Sequence, residues 1–260
     1  MRAAFAVAVL VSSGFARAQR PSEQDVTALV ERARQKALAY TQSLPDFLAT
    51  EIIHRYQGSV KEGLGGNPVD TLTVQLRYLQ HKEDHRLMLV DGKPTRRTFD
   101  TIEGSVASGE FGATLAAIFD PATQTAFRWQ SGKNLRGRRL AVVAYEVAGS
   151  HSHYRLGTAA DGKTVVADAG YHGVLEIDPD TGEVLHLEYI ADHIPDSVHL
   201  TYAGTKVDYA LAGIAGQRYL LPARSEMEMR APTSWTRNVI EFREYRKFAA
   251  DSSIDFGPPK

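Results

Sequence analysis

Residues 71–78, TLTVQLRY, alternate without a fault: Leu72, Val74, Leu76 and Tyr78 fall on one face, and Thr71, Thr73, Gln75 and Arg77 on the other. A period of two sends successive side chains to opposite sides of an extended chain. The stretch therefore predicts an antiparallel strand with one face in a core and one in water. The same period sets in at Phe47 and returns along most of the chain, predicting further strands over 47–57, 84–90, 95–99, 125–130, 139–147, 153–157, 163–168, 173–177, 183–191, 200–211, 217–230 and 237–248. Turn signals separate most of them: Asp91-Gly92-Lys93-Pro94, Ser131-Gly132, Asp161-Gly162 and Gly213 to Gly216. Gly58 to Pro68 is the expected mobile loop.

Two segments depart from this period. Ser22, followed three residues later by Asp25, has the form of a capping box, and Val26, Leu29, Val30, Ala33, Ala37, Tyr40 and Leu44 recur at helical spacing. An amphipathic helix is predicted over 22–44, ending before Pro45. Between strands, Ser108 precedes a second helical stretch to Phe119, with Phe111, Leu115, Ile118 and Phe119 on one stripe and Asp120-Pro121 ending it. No repeat or linker divides the chain. The pattern predicts a single α+β domain over 19–260, a large curved, half-barrel-like antiparallel sheet with the N-terminal helix and the short inserted helix on one face. A sheet of this size curls, and a curled sheet under helices can enclose an apolar space.

The first residues, MRAAFAVAVLVSSGFARAQRP, carry a basic start, an apolar run from Ala3 to Val11 and a small-x-small site at Ala16-Arg17-Ala18. They predict a signal peptide over 1–18 and a periplasmic or secreted mature chain. The apolar run is shorter than the roughly 20 residues a membrane-spanning helix needs, and no later stretch approaches that length. Loss of Arg2 and Arg17 moves the formal charge from -1 to -3. Nucleic acid and anionic membranes both call for clustered basic surface, which so balanced a composition does not imply. With no cysteine in the chain, thiol chemistry and an N-terminal lipid anchor are excluded, and stability must come from a core, which about 240 residues can supply.

No motif for catalysis emerges. LEIDPDTGEVLHLEY (175–189) spaces Asp178 and Asp180 like the start of a calcium loop, but Gly182 and Glu183 follow at once and little further oxygen is on offer. Leu175 and Ile177 before it, and Leu185, Leu187 and Tyr189 after it, alternate, so the stretch reads as a hairpin with a Pro-Asp-Thr-Gly turn. His151 and His153 share a strand face without a third metal ligand in view, and His81 and His85 bracket Lys-Glu-Asp with the Glu displaced from a zinc-protease motif. Neither Gly-x-Ser-x-Gly nor a phosphate loop is present. No catalytic residue, metal ligand or cofactor is assigned.

The order of elements, with hairpins such as Gly-Val-Leu-Glu-Ile-Asp-Pro-Asp-Thr-Gly-Glu-Val-Leu, resembles the layout of the LolA/LolB lipoprotein-carrier superfamily. The phrases Ala37-Leu-Ala-Tyr-Thr-Gln-Ser-Leu-Pro-Asp-Phe47, Gly109-Glu-Phe-Gly112, Leu135-Arg-Gly-Arg138 and Phe242-Arg-Glu-Tyr-Arg-Lys-Phe248 resemble uncharacterised secreted proteins of soil bacteria such as the acidobacteria. The first resemblance implies a curved sheet covered by helices, with acyl chains bound between; the second implies no activity. On that basis Phe111, Leu115, Ile118 and Phe119 are the candidate ligand-lining residues, and a lipid or lipoprotein acyl chain is the candidate partner. Two alternatives stand beside this one: an envelope protein-interaction module, and a serine or metal-dependent hydrolase.

Overall fold

A computed structural model describes residues 20–63, 65–98, 102, 110–135, 137–160 and 163–248. The predicted signal peptide, Ser108 and the Asp161-Gly162 turn lie outside the described residues.

Helix α1 (Glu23–Ser43) begins as the capping box requires. The Ser22 hydroxyl accepts from the Asp25 amide at 3.2 Å, and the Asp25 carboxylate accepts from the Ser22 amide at 3.1 Å. Together they satisfy two of the donors that a helix start leaves open. Leu44 is already extended, as the residue before a proline should be. No described helix is long and apolar enough to cross a membrane.

The strands are β1 (Phe47–Ser59), β2 (Asn67–Leu79), β3 (Lys82–Val90), β4 (Lys93–Pro94), β5 (Ala126–Leu135), β6 (Arg138–Val147), β7 (Tyr154–Ala160), β8 (Lys163–Ile177), β9 (Val184–Asp192), β10 (Tyr202–Ile214), β11 (Gln217–Arg230) and β12 (Ser234–Lys247). They form one antiparallel sheet in the order β4-β3-β2-β1-β12-β11-β10-β9-β8-β6-β5, with β7 paired to β8. The last strand thus lies beside the first, near the middle of the sheet. Bulges interrupt the register between Leu48 and Thr50, Thr73 and Val74, Glu176 and Ile177, and Asp208 and Tyr209. Each adds local twist, which bends a broad sheet into a trough.

Because β4 is one edge of the sheet and β5 the other, the chain between them must cross the whole sheet. That crossing lays Ile102, Phe111 and helix α2 (Ala113–Phe119) against the inner face. The second helix is shorter than the sequence implies. Gly112, at φ +106°, breaks the backbone before it, so Phe111 is not part of its stripe.

The inner face carries two apolar clusters. One joins Leu29, Ala33 and Ala37 of α1 and Leu115, Ile118 and Phe119 of α2 to β6, β8, β9 and β10. The other, around Phe47, Leu76, Tyr78, Phe111, Leu221 and Phe242, lies over β1, β2, β11 and β12.

Three predicted details are corrected. Residues 163–168 and 173–177 belong to one strand, β8, whose first half pairs with β7 and whose second half lies between β6 and β9. Gly173 marks a close approach rather than a break. The Tyr145 hydroxyl donates to the Glu188 carbonyl at 3.0 Å, and a Cβ on Gly173 would strike that carbonyl. Ser131-Gly132 lies inside β5, at a bulge, and is not a turn. Among the described residues, the strand expected at 95–99 is replaced by a short pairing at Lys93–Pro94, ahead of the predicted range, with one further backbone bond from the Thr95 amide to the Met88 carbonyl at 3.3 Å.

The glycine-rich stretch from Gly58 to Pro68 also has a specific task. It closes over Trp235, which is 2% exposed and donates its indole N–H to the Gly63 carbonyl at 3.0 Å. Gly66, at φ +62°, lies so close to the indole that a Cβ would collide with it.

Candidate functional site

The Asp178–Glu183 stretch is a turn. The Asp178 carboxylate accepts from the amides of Asp180 (2.7 Å) and Thr181 (3.1 Å), and the Gly182 amide donates to the Asp178 carbonyl at 2.8 Å. Burial works against the charge of Asp178, but those two amides and the bonded Arg138 outweigh it and hold its carboxyl below the usual range. Arg32 of α1 donates to the Pro179 carbonyl at 3.0 Å, so the turn anchors the helix.

The second half of α1 leans over β9–β11 and leaves a groove of about 280 Å³. Ala37, Leu115, Val184 and Tyr209, each buried, form its floor; Lys36, Glu183 and Arg218 lie among its walls. Tyr40 packs edge-on against Tyr209, their rings 6.4 Å apart, and the Tyr40 hydroxyl is buried with no hydrogen-bond partner. Burial, with lesser pushes from Tyr78 and Glu83, raises the ionisation of that hydroxyl far above its ordinary range, so it is a neutral donor. The groove is small and amphipathic: an apolar floor, with two cations against one carboxylate.

Of the predicted ligand-lining residues, only Leu115 borders this groove. Ile118 and Phe119, at 0% and 2% exposure, pack into the cluster beneath α1. Phe111 belongs to the other cluster, with its ring 5.4 Å from that of Phe47 and 5.5 Å from that of Phe242.

The structure also brings together a polar group that the spacing of residues did not single out. The register pairs Glu51 with Val74 and Phe242, and His85 with Leu76, so both polar side chains lie on the apolar, inward face. His85 Nε2 is 3.3 Å from Glu51 Oε1. Burial disfavours a charged imidazole, but the bonded Glu51 carboxylate more than compensates and raises the His85 pKa. Across from them Glu110 is fully enclosed. The Ser225 hydroxyl donates to its carboxyl at 3.3 Å, and the Tyr209 hydroxyl to its backbone carbonyl at 3.0 Å. Burial, reinforced by the charges of Glu83 and Glu51, pushes the Glu110 carboxyl up to about 7. The signal was legible in FLATEIIH, where Glu51 occupies the same alternating face as Phe47, Ala49 and Ile53.

A carboxyl of that pKa has the proton affinity of a general acid or base. Its neighbours, however, are the core residues that seal it. His81, at φ +62°, meets the Tyr78 ring edge to face. Among the described residues no three His, Asp or Glu are grouped to hold a metal ion.

No family model matches the chain, and no curated protein matches it. Solved structures that are similar include a DUF1329 family protein from Desulfovibrio piger, at 14% identity and TM-score 0.41 over 88% of this chain and 95% of that one. A LolA superfamily protein from Nitrosomonas europaea is 10% identical, with TM-score 0.38 over 86% of this chain and 94% of that one. A putative outer membrane lipoprotein-sorting protein domain from Vibrio parahaemolyticus is 12% identical, with TM-score 0.36 over 88% and 94% of the two chains. Likeness at this level assigns neither a family nor an activity.

Proposed function

We propose that this protein is a non-enzymatic carrier of an apolar ligand outside the cytoplasm, with the ligand entering between helix α1 and the sheet. The observation that carries the proposal is the groove beneath the second half of α1, where an apolar floor is bordered by Lys36 and Arg218. A single-chain lipid fits this chemistry. Its tail would lie on Leu115 and Tyr209, and its head would meet Lys36 and Arg218 at the mouth.

The volume of about 280 Å³ accommodates only part of such a tail, so α1 acts as a lid. Its sheet-facing residues in the middle turns are Ala33 and Ala37. Alanine buries little apolar surface, and at about 25 cal/mol per Å² lifting those turns costs far less than lifting a leucine stripe. Ile118 and Phe119 then line the space that opens.

A fluorescent fatty acid titrated into the purified chain tests the proposal. Saturable uptake is expected, and Leu115→Trp, which fills the groove floor, should weaken it about tenfold. No uptake by a folded chain, or equal uptake by that variant, would overturn the proposal.

A further inference from the structure

A second groove, at the edge of the sheet, carries different chemistry and does not depend on the lipid proposal. It has a volume of about 640 Å³ and lies between β3 and the segment that follows β4, with Arg77, Arg86, Arg96 and Arg97 among the residues lining it. These arginines come from three stretches of chain, β2, β3 and residues 95–98. Register brings Arg77 opposite Asp84, and Arg86 opposite Gln75. Asp84 is bonded to Arg77. Arg86 and Arg96, both exposed, have no hydrogen bond or ion pair among the described residues.

Two buried donors also lack acceptors here. Arg77 Nε, of a residue that lines the groove, has no hydrogen-bond partner, and neither has Nε2 of Gln75, which is 5% exposed, lies two residues along the same strand face and does not itself line the groove. Buried donors are rarely left unmet without a reason. The positive charge is local, since the whole chain carries a formal charge of -1. A near-neutral composition gave no hint of it, because the four arginines converge only once β2, β3 and the segment after β4 are side by side.

We propose that this groove binds a phosphate group. Guanidinium forks grip oxyanions through paired N–H donors, and forks approaching from several directions suit a tetrahedral phosphate, which presents oxygens on every side. A carboxylate offers two oxygens in one plane and would leave some of these donors unmet. Arg86 and Arg96 supply the uncompensated charge, and Arg77, braced by Asp84, supplies a third fork. The phosphate is either that of a lipid headgroup or that of a soluble ligand.

The test uses the purified full chain with two probes: inorganic phosphate in a calorimeter, and sedimentation with phosphatidylcholine vesicles made with or without phosphatidylglycerol. Binding to at least one probe is expected, with a loss of about tenfold or more in the Arg86→Gln, Arg96→Gln double variant. The Arg155→Gln, Lys206→Gln variant, which removes equal charge elsewhere, should bind like the parent. Binding of phosphate alone identifies a soluble ligand, and binding to phosphatidylglycerol vesicles alone identifies a headgroup. If a folded chain binds neither probe, or both double variants lose binding equally, the proposal fails.

Discussion

Replacing Glu110 by Gln should make the stability of this protein less sensitive to pH, and the structure sets both the sign and the scale. Glu110 is 6% exposed, and the groups that face it are Ser225, which donates to it, and Glu51, Glu83 and His85, which act through charge. A rise from 4.5 to about 7 corresponds to about 3 kcal/mol between its two protonation states. The folded chain holds this proton to higher pH than the unfolded chain does. Between those two values the folded state therefore binds more protons, and stability falls as pH rises. The contribution of the neutral acid is complete below about pH 4.5 and is lost through about pH 7.

The Gln variant keeps the shape of the side chain and a group that can pair with Ser225, but it cannot ionise. Urea unfolding followed by far-UV circular dichroism should give the variant and the parent similar stability near about pH 5, and favour the variant by up to about 3 kcal/mol near about pH 8. Movement of the Glu110 segment toward water would lower that ceiling without reversing its sign. His85, whose pKa the bonded Glu51 raises, is present in both proteins and feels the Glu110 charge only in the parent. If the difference between the two proteins is the same at both pH values, the assignment of a buried, neutral Glu110 is refuted.

Other perturbations follow from the packing. The bidentate Arg55–Asp70 pair, both bonds 2.6 Å and both side chains 11% exposed, loses both of these charge-assisted bonds when Asp70 becomes Ala; urea unfolding should record a loss of about 2 to 3 kcal/mol. Gly66→Ala forces a methyl group into the Trp235 indole at a positive φ; a loss of about 2 kcal/mol should accompany a red shift of tryptophan emission as Trp235 becomes wet. Ser22→Ala removes the cap of α1 and should cost about 1 kcal/mol, seen as faster hydrogen exchange confined to the first turns of the helix.

Local pattern carried the elements, and distance hid their arrangement. The pairing face of β2 is legible in its alternation, although Thr73 and Gln75 on the face expected in water are buried as well, and α1 is legible because Ser22 and Asp25 are three residues apart. That β12 would lie beside β1, or that the segment after β4 would cross the whole sheet to reach β5, is a choice among partners far apart in sequence, which a two-residue period does not encode. The same reason conceals both grooves. Tyr40, Leu115 and Arg218 come from two helices and a hairpin, and Arg77, Arg86 and Arg96 become neighbours only through pairing at the sheet edge. Phe111 illustrates a different limit. Its spacing from Leu115 is helical, but the left-handed backbone at Gly112 detaches it from α2 and sends it to the other half of the core. The interruption expected over 169–172 is absent, and within the continuous strand the missing side chain of Gly173 is what lets Tyr145 reach across to the next strand.

If an apolar ligand occupies the space between α1 and the sheet, it should survive gentle purification. A native mass spectrum of the chain, purified gently from a bacterial periplasm and recorded before and after organic extraction, tests it most directly. An added mass in the lipid range that extraction removes and that Leu115→Trp reduces is expected. A folded protein that shows only its own mass before extraction, and gains none when lipid is supplied, would contradict it.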